Sequence, residues 1–401
     1  MPTNACRCRR KRLKILFLYK NLALGGVQAR IALLSQALAA RGHDVFVATY
    51  GKPQPVACPL DAGVTHLDPG GRSLPRRLWR LHGYLGRLKP DVVISATPHG
   101  NLLSLGLKLL GRHRFFTILS EESDPVEEAR HAHGIHKLPF LLTSQLYPLA
   151  DRIVAVSQGV RDQLCKQSGM APERISVIYN PIYRSDIEML AGEAVSHRWF
   201  GGNFKVFLAA GRFVEQKNLA LLLDSFARLH TQMPQARLIL IGDGPLRPRL
   251  ERQVLALGIG GVIDMPGFQK NPFAWFAKAD GLVLSSLWEG FGNVLVEAMA
   301  CGCPVVSTDC PHGPAEILMD GKYGRLAANG DAQRLSVAML DTLRDPAGRE
   351  MLRQRAQAFD VETAAQAYAA LLPKMETEPA TRSSIGHNRP GRRGCPSAAA
   401  D

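Results

Sequence analysis

The feature that most constrains this chain is an alternation, kept up for over 300 residues, of short β-branched apolar runs with segments of helical periodicity. Such alternation predicts parallel sheets assembled from βαβ units, because parallel strands need a crossover between them and a helix supplies it. In the first half the predicted strands are Lys14 to Tyr19, Asp44 to Thr49, Val92 to Ala96, Phe115 to Leu119, Arg152 to Ser157 and Ile175 to Ile178, with a helix from Val27 to Arg41. The stretch from Tyr183 to Asn203 has no strong period and contains Gly192, Gly201 and Gly202, so it reads as the joint between two domains. A second series then begins, with strands at Lys205 to Ala209, Arg237 to Ile241, Val262 to Asp264, Gly281 to Leu284 and Pro304 to Ser307. The fold class is therefore α/β with two doubly wound, Rossmann-like domains.

In numbers, the division is a basic arm over 1–12, an N-terminal domain over 13–183, a linker over 184–203 and a C-terminal domain over 204–360. A helical pattern from Val361 to Leu372, within 361–375, closes the ordered part, and 376–401, poor in apolar groups, is expected to be disordered. No run approaches the ~18 apolar residues of a membrane span. The basic stretch Met1 to Lys14 is followed only by the short run Ile15 to Tyr19, which argues against a signal peptide and for a cytoplasmic protein.

Charge is distributed unevenly. Of a net +14, residues 1–200 contribute +12, with 27 lysines and arginines against 15 acidic residues. Arg72, Arg76, Arg77, Arg80, Arg87 and Lys89 fall between Gly70 and Pro90 without an intervening acid, while Leu74, Leu78, Leu81, Leu85 and Leu88 recur at helical steps. A basic amphipathic helix of this kind suits an anionic membrane surface or a phosphate-bearing lipid; it equally describes a surface helix whose leucines enter the core. The eight cysteines, Cys6, Cys8, Cys58, Cys165, Cys301, Cys303, Cys310 and Cys395, form no C-x-x-C and read as free thiols rather than as a metal or disulfide framework.

The chemistry-bearing segments sit in the second half. Strand Lys205 to Ala209 runs into Gly211-Arg212-Phe213-Val214-Glu215-Gln216-Lys217-Asn218, a tight turn and helix start where Arg212 and Lys217 place two cations near one anion. The next strand ends in Gly242-Asp243-Gly244-Pro245, at the carboxyl edge where open α/β sheets bind ligands. Most specific is Glu289-Gly290-Phe291-Gly292-Asn293-Val294-Leu295-Val296-Glu297. A loop carboxylate and a helix carboxylate so spaced can address the two ends of one extended ligand, with the helix N-terminus between them to take a diphosphate. Glu297, among apolar Leu295, Val296, Ala298 and Met299, would be costly to bury unpaired, which favours a ligand partner such as the vicinal diol of a ribose.

This pattern, E-G-F-G-N-x-x-x-E preceded by G-R-F-x-x-x-K-N and G-D-G-P and followed by Gly302-Cys303-Pro304-Val305-Val306-Ser307-Thr308, resembles the large family 4 of retaining glycosyltransferases, over Lys14 to Leu372. The resemblance implies the GT-B arrangement, with a nucleoside-diphosphate sugar held mainly by the C-terminal domain, a glycan or lipid-linked acceptor by the N-terminal one, and the C-terminal helix returning to the N-terminal domain. It implies that Arg212 and Lys217 neutralise the donor diphosphate, that Glu289 lies near the donor sugar and the reacting centre, and that Glu297 holds the ribose. Gly211, Gly242, Phe291, Gly292, Asn293 and Val294 match donor-contacting positions, and Gly25-Gly26-Val27-Gln28 resembles the glycine loop that lets backbone approach the donor phosphate. Many relatives carry a histidine after the fourth or fifth strand that touches the donor sugar; here either Glu121 or Glu122 replaces it, or His99 serves the role.

No D-x-D motif is present, and no metal or other cofactor is expected. Thr308-Asp309-Cys310-Pro311-His312-Gly313-Pro314-Ala315-Glu316-Ile317-Leu318 resembles the subset that builds capsular, lipopolysaccharide and lipid-linked glycans, often from UDP-hexoses or UDP-N-acetylhexosamines, which would put the enzyme at the inner face of the cytoplasmic membrane. Two competing readings are a nucleotide-sugar epimerase of the same architecture, which lacks this motif combination, and a basic nucleic-acid-binding module. Against the latter, the basic residues are spread through the helices of an α/β domain and no nucleic-acid motif is present.

Overall fold

The computed structural model describes residues 12–22, 25–52, 60–70, 73–109 and 113–373, the side chains of 135 and 136 excepted. The sequence readings at Arg72, Cys6, Cys8, Cys58, Cys395, most of the basic arm and the tail over 376–401 lie outside the described residues.

The first half runs β1 (Lys14–Tyr19), α1 (Gly26–Ala40), β2 (Asp44–Thr49), β3 (Val64–Leu67), α2 (Leu74–Leu88), β4 (Val92–Ala96), α3 (Pro98–Leu109) and β5 (Phe116–Glu121). It continues through α4 (Pro125–His131), α5 (Leu138–Leu146), β6 (Arg152–Ala155), α6 (Gln158–Ser168) and β7 (Ile175–Val177). These strands form one seven-stranded parallel sheet in the order β3-β2-β1-β4-β5-β6-β7.

A short helix, α7 (Ile187–Ala191), follows, and then β8 (Lys205–Ala210), α8 (Leu219–Gln232), β9 (Ala236–Ile241), α9 (Arg247–Ala256), β10 (Ile263–Gly267), α10 (Phe273–Lys278) and β11 (Gly281–Leu284). The chain ends with α11 (Asn293–Ala300), β12 (Val305–Asp309), α12 (Pro314–Leu318), β13 (Arg325–Ala328), α13 (Ala332–Arg344), α14 (Arg349–Gln357) and α15 (Val361–Leu371). The second sheet is six-stranded and parallel, β10-β9-β8-β11-β12-β13.

Both sheets are wound from a middle strand outward, then restart on its other side. Between β1 and β4, and again between β8 and β11, consecutive loops leave in opposite directions and open a crevice at the carboxyl edge. The central strands are buried on both faces, which is why they read as unbroken apolar runs: β4 and β11 are buried at every residue. One apolar cluster joins the halves, from Ile153 and Val156 through Ile182, Phe291 and Phe359 to Leu282 and Val305. The joint is more structured than a glycine-rich loop, since it contains α7 and buries Trp199 in the same cluster.

The last helix crosses back. Ile182 and Tyr183 donate their N–H groups to the carbonyl of Phe359 at 2.9 and 3.0 Å, so the outgoing and returning chains run side by side. From there α15 inserts Ala364, Ala365 and Tyr368 into the core of the first domain, beside Ile31 and Leu34 of α1. In α2 the leucine face belongs to the core, with Leu81 and Leu85 buried and Leu78 and Leu88 packed against the same cluster. Arg77 is buried too, so it cannot reach a membrane surface; the outer face presents Arg76, Arg80 and Arg87 around Trp79, which is 74% exposed. No helix among the described residues is long and apolar enough to cross a membrane.

Candidate active site

Because all six strands of the second sheet are parallel, the loops after β9, β8 and β11 leave from one edge and are neighbours. This brings Gly242, the segment Gly211 to Lys217 and the segment Ser285 to Gly292 together. The first two loops touch backbone to backbone: Gly211 N–H donates to Ile241 O at 3.0 Å and Phe213 N–H to Asp243 O at 2.9 Å. Gly242 has φ +127°, and a Cβ there would lie 1.9 Å from the carbonyl oxygen of Gly211. Only glycine satisfies both demands. Behind these loops is a small pocket lined by Ala210, Gly211, Arg212, Lys217, Leu284 and Ser285.

The charges fall in a definite order. Lys217 Nζ donates to Glu289 Oε1 at 2.5 Å, and Ser286 Oγ donates to the same oxygen at 2.6 Å, with Glu289 only 7% exposed. The side chain of Arg212 is exposed and makes no hydrogen bond or ion pair with a described residue; its field reaches Glu128 and Tyr19 of the first domain. Glu297, the fifth residue of α11, is half-buried, and its side chain likewise bonds to no described residue. Burial raises its pKa, while Arg184 and Lys217 act in the opposite sense. A half-buried carboxylate without a side-chain partner, in the field of two cations that are paired elsewhere, is an arrangement that a ligand completes. The start of α11 is capped by Gly292 at φ +102°, leaving its first N–H groups without side-chain acceptors.

The opposing wall comes from the first domain. Gly26, at the start of α1, packs so closely that a Cβ there would lie 2.7 Å from Asn293 Nδ2, and Gly25 caps the same helix. Asn293 Oδ1 accepts from Asn180 Nδ2 at 2.8 Å, and Val294 is half-buried beside it. Gly290 meets the backbone of Glu122, and its carbonyl accepts from Ser157 Oγ at 2.7 Å. Thus Gly25 and Gly26 of the first domain lie at the start of α1 against Asn293 of α11, while Gly211, Arg212, Lys217, Gly242 and Glu289 gather on neighbouring loops of the second.

Four residues named from sequence stand differently. The ring of Phe291 is buried between Tyr179 and Phe359, at centroid distances of 5.4 and 5.3 Å, so it offers the crevice only backbone. Glu121 is fully buried and accepts from Tyr147 Oη at 2.6 Å. Glu122 is ion-paired with buried Arg30 and accepts from Ser120 Oγ at 2.7 Å. Both carboxylates are thus spent inside the protein and are not free to meet a sugar. His99 is exposed at the start of α3 with its ring against Phe140, 5.8 Å between centroids.

Other residues went unnoticed in the sequence. Glu128, on α4, faces Arg212 and Trp288 across the crevice, and burial raises its pKa. The neighbouring His131 stacks on Trp288 at 4.1 Å. Glu316 accepts the N–H groups of Gln158 and Gly159, each at 2.9 Å, and so caps a helix of the other domain. The signal for the α4 group was the sequence Asp124-Pro125 directly after a strand, an N-cap followed by proline at the first helical position.

Comparison with known proteins agrees with this architecture. Residues 24–185 match the family model described as Glycosyltransferase Family 4, and residues 198–359 match glycosyl transferases group 1. A Campylobacter jejuni N-acetylgalactosamine-N,N'-diacetylbacillosaminyl-diphospho-undecaprenol 4-alpha-N-acetylgalactosaminyltransferase is 33% identical over 55% of this chain and 59% of its own length. The lipopolysaccharide 1,6-galactosyltransferase of Salmonella typhimurium is 28% identical over 64% of this chain and 66% of its own. Against the Campylobacter relative, the chain thus spans about three fifths of the length.

Among solved structures, the lipopolysaccharide outer core galactosyltransferase WaaB, apo form, superposes with a TM-score of 0.68 at 20% identity, covering 90% of this chain and 99% of that one. Anabaena HepE in complex with UDP gives 0.66 at 22% identity, again over 90% and 99%. Two parallel-sheet domains whose switch-point crevices face each other make this a GT-B protein. The chain belongs to family 4 of the glycosyltransferases, in the company of relatives named for lipopolysaccharide and polysaccharide synthesis.

Proposed function

We propose that this protein is a retaining glycosyltransferase that moves a hexose or N-acetylhexosamine from a UDP-sugar to a glycan or lipid-linked acceptor in cell-surface polysaccharide synthesis. The observation that carries this reading is the partnerless, half-buried side chain of Glu297 in the field of Lys217, which pairs with Glu289 and shares a pocket with the unpaired side chain of Arg212. In this reading Glu297 accepts the two ribose hydroxyls, while Arg212, Lys217 and the first amides of α11 receive the diphosphate. As the bond from the anomeric carbon to the phosphate oxygen breaks, its electron pair stays on the phosphate, and these fixed positive groups stabilise the charge without requiring a metal. The acceptor oxygen bonds the same face of the anomeric carbon, and its proton passes to the leaving phosphate. Glu289 lies beside the reacting centre rather than serving as a conventional nucleophile.

Support for the donor comes from the GT-B likeness to HepE, solved with UDP, and for the acceptor from the diphospho-undecaprenol glycan named for the Campylobacter relative. The outer face of α2, with Arg76, Arg80 and Arg87 around exposed Trp79, would rest on an anionic membrane, keeping the enzyme at its cytoplasmic face.

The test is a panel of UDP- and GDP-sugars scored for product and for UDP release. UDP should appear only when acceptor is present, which separates transfer from epimerisation. Replacing Glu297→Ala should weaken UDP binding about 10- to 100-fold, the value of hydrogen bonds to a charged group. Glu289→Ala should lower turnover by about 100-fold while UDP affinity changes far less. Equal loss of UDP affinity in both variants, or failure of every nucleotide to bind, would overturn the assignment.

A further inference from the structure

One segment of the second domain is gripped from both sides, and Glu289 is attached to it. Glu289 donates its N–H to Pro311 O at 2.6 Å, and His312 donates its N–H back to Glu289 O at 3.1 Å. The backbone of the candidate catalytic carboxylate is therefore paired, residue against residue, with Pro311 and His312.

The side chain of His312 points the other way, into the first domain. Its Nε2 lies 2.9 Å from Oδ2 of Asp124, which is 4% exposed and caps α4 by accepting the N–H groups of Val126 and Glu127. Those bonds, with His312, hold the Asp124 carboxyl below the usual range despite its burial. The imidazole fills a notch at the start of α6, where a Cβ on Gly159 would lie 2.3 Å from Nδ1 and 2.8 Å from the histidine's own Cβ. Four residues on, Glu316 takes the N–H groups of Gln158 and Gly159. The stretch from Pro311 to Glu316 thus has one edge on Glu289 and the other on α4 and α6 of the opposite domain.

We propose that His312 is a positioning residue, which fixes Glu289 relative to the donor sugar only while the first domain is seated against it through Asp124. The reading of Glu289 as the group beside the reacting centre underlies this inference. Its consequence is that an acceptor-bearing first domain and the bond-breaking end of the donor site are assembled by one contact. A donor bound to the second domain alone meets a Glu289 still held by Lys217 and Ser286 but without the brace from the first domain, and hydrolysis of the sugar nucleotide is slowed until the domains meet.

The experiment uses the full chain as His312→Ala, His312→Gln and Asp124→Asn, the last retaining a residue that caps α4 well. In ligand-free protein, amide exchange of the peptide covering Trp288 to Gly292 should accelerate about tenfold in His312→Ala and Asp124→Asn, as expected for loss of one charge-assisted hydrogen bond. Exchange in β8 and β9 should stay as in the unmodified chain. Turnover should fall about tenfold or more with UDP affinity preserved, and His312→Gln, which still reaches Asp124 with an N–H donor, should recover most of it.

Unchanged exchange at Trp288 to Gly292, or a fall in UDP affinity matching the fall in turnover, would overturn the proposal. The exchange measurement needs no substrate. If the unmodified chain neither binds UDP nor transfers sugar, the functional assignment fails on that count, while exchange still decides whether His312 fixes Glu289.

Discussion

At the C-terminal end of β5, Glu121 has no water to turn to. It accepts from the hydroxyl of Tyr147, which in turn accepts from Asn101 Nδ2 at 2.7 Å, and burial pushes its carboxyl up to about 8. In the unfolded chain the same group titrates near 4.5, so between those values the native state holds a proton that the unfolded state has lost. The stability Glu121 contributes is full below about 4.5 and disappears as the pH rises toward about 8. Glu121→Gln should therefore have a melting temperature that falls less steeply over this window than the unmodified protein, with the largest advantage at its alkaline end. Parallel profiles by thermal denaturation would show that Glu121 does not titrate in this way. Sequence alone could not separate this group from a ligand-binding carboxylate, because two adjacent glutamates after a strand look alike whichever partners they meet. Those partners, Tyr147 and Arg30, lie 26 and 92 residues away.

Among the elements, α1 and α15 are bound by more than apolar contact. Arg30, fully enclosed on α1, is ion-paired with Glu122, and its Nη1 donates to Tyr368 Oη on α15 at 3.2 Å. Tyr368 Oη donates onward to Ser120 Oγ at 3.2 Å. Removing one member of such a pair leaves a buried charge without compensation, so Arg30→Met should cost about 3 kcal/mol in urea unfolding. Adding Glu122→Gln should restore a large part of it, and equal losses in the single and double variants would contradict a coupled pair.

The elements most legible in the sequence were those buried on both faces: the runs Lys14–Tyr19, Val92–Ala96 and Gly281–Leu284 coincide with strands. Missed were β3 and β13, four residues each at sheet edges, where exposed Thr65, His66 and Ala328 interrupt the apolar signal. The site residues were legible where they act through spacing along one loop and helix, as in Glu289 to Glu297. They were illegible where contact depends on how two domains meet, as for Glu128, His312 and Glu316.

For the whole molecule, domain seating rests on a few polar contacts around an apolar hinge. Glu316 is the clearest of them, since it satisfies two N–H groups at the start of α6 from across the crevice. Glu316→Ala should leave each sheet intact yet cost about 1 kcal/mol, the usual value of a helix cap. Its ligand-free radius of gyration by small-angle scattering should exceed that of the unmodified chain. An identical radius, together with unchanged amide exchange at Gln158 and Gly159, would mean that the carboxylate does not tie the domains.

The return of α15 has a consequence for biosynthesis. Residues Ala364, Ala365 and Tyr368 finish a hydrophobic core begun by Leu13 and Ile15, so a nascent chain leaving the ribosome carries an incomplete first domain until almost all of the described sequence has emerged. Folding of that half can close only after translation of the other, and apolar surface on α1 stays open to chaperones throughout the interval.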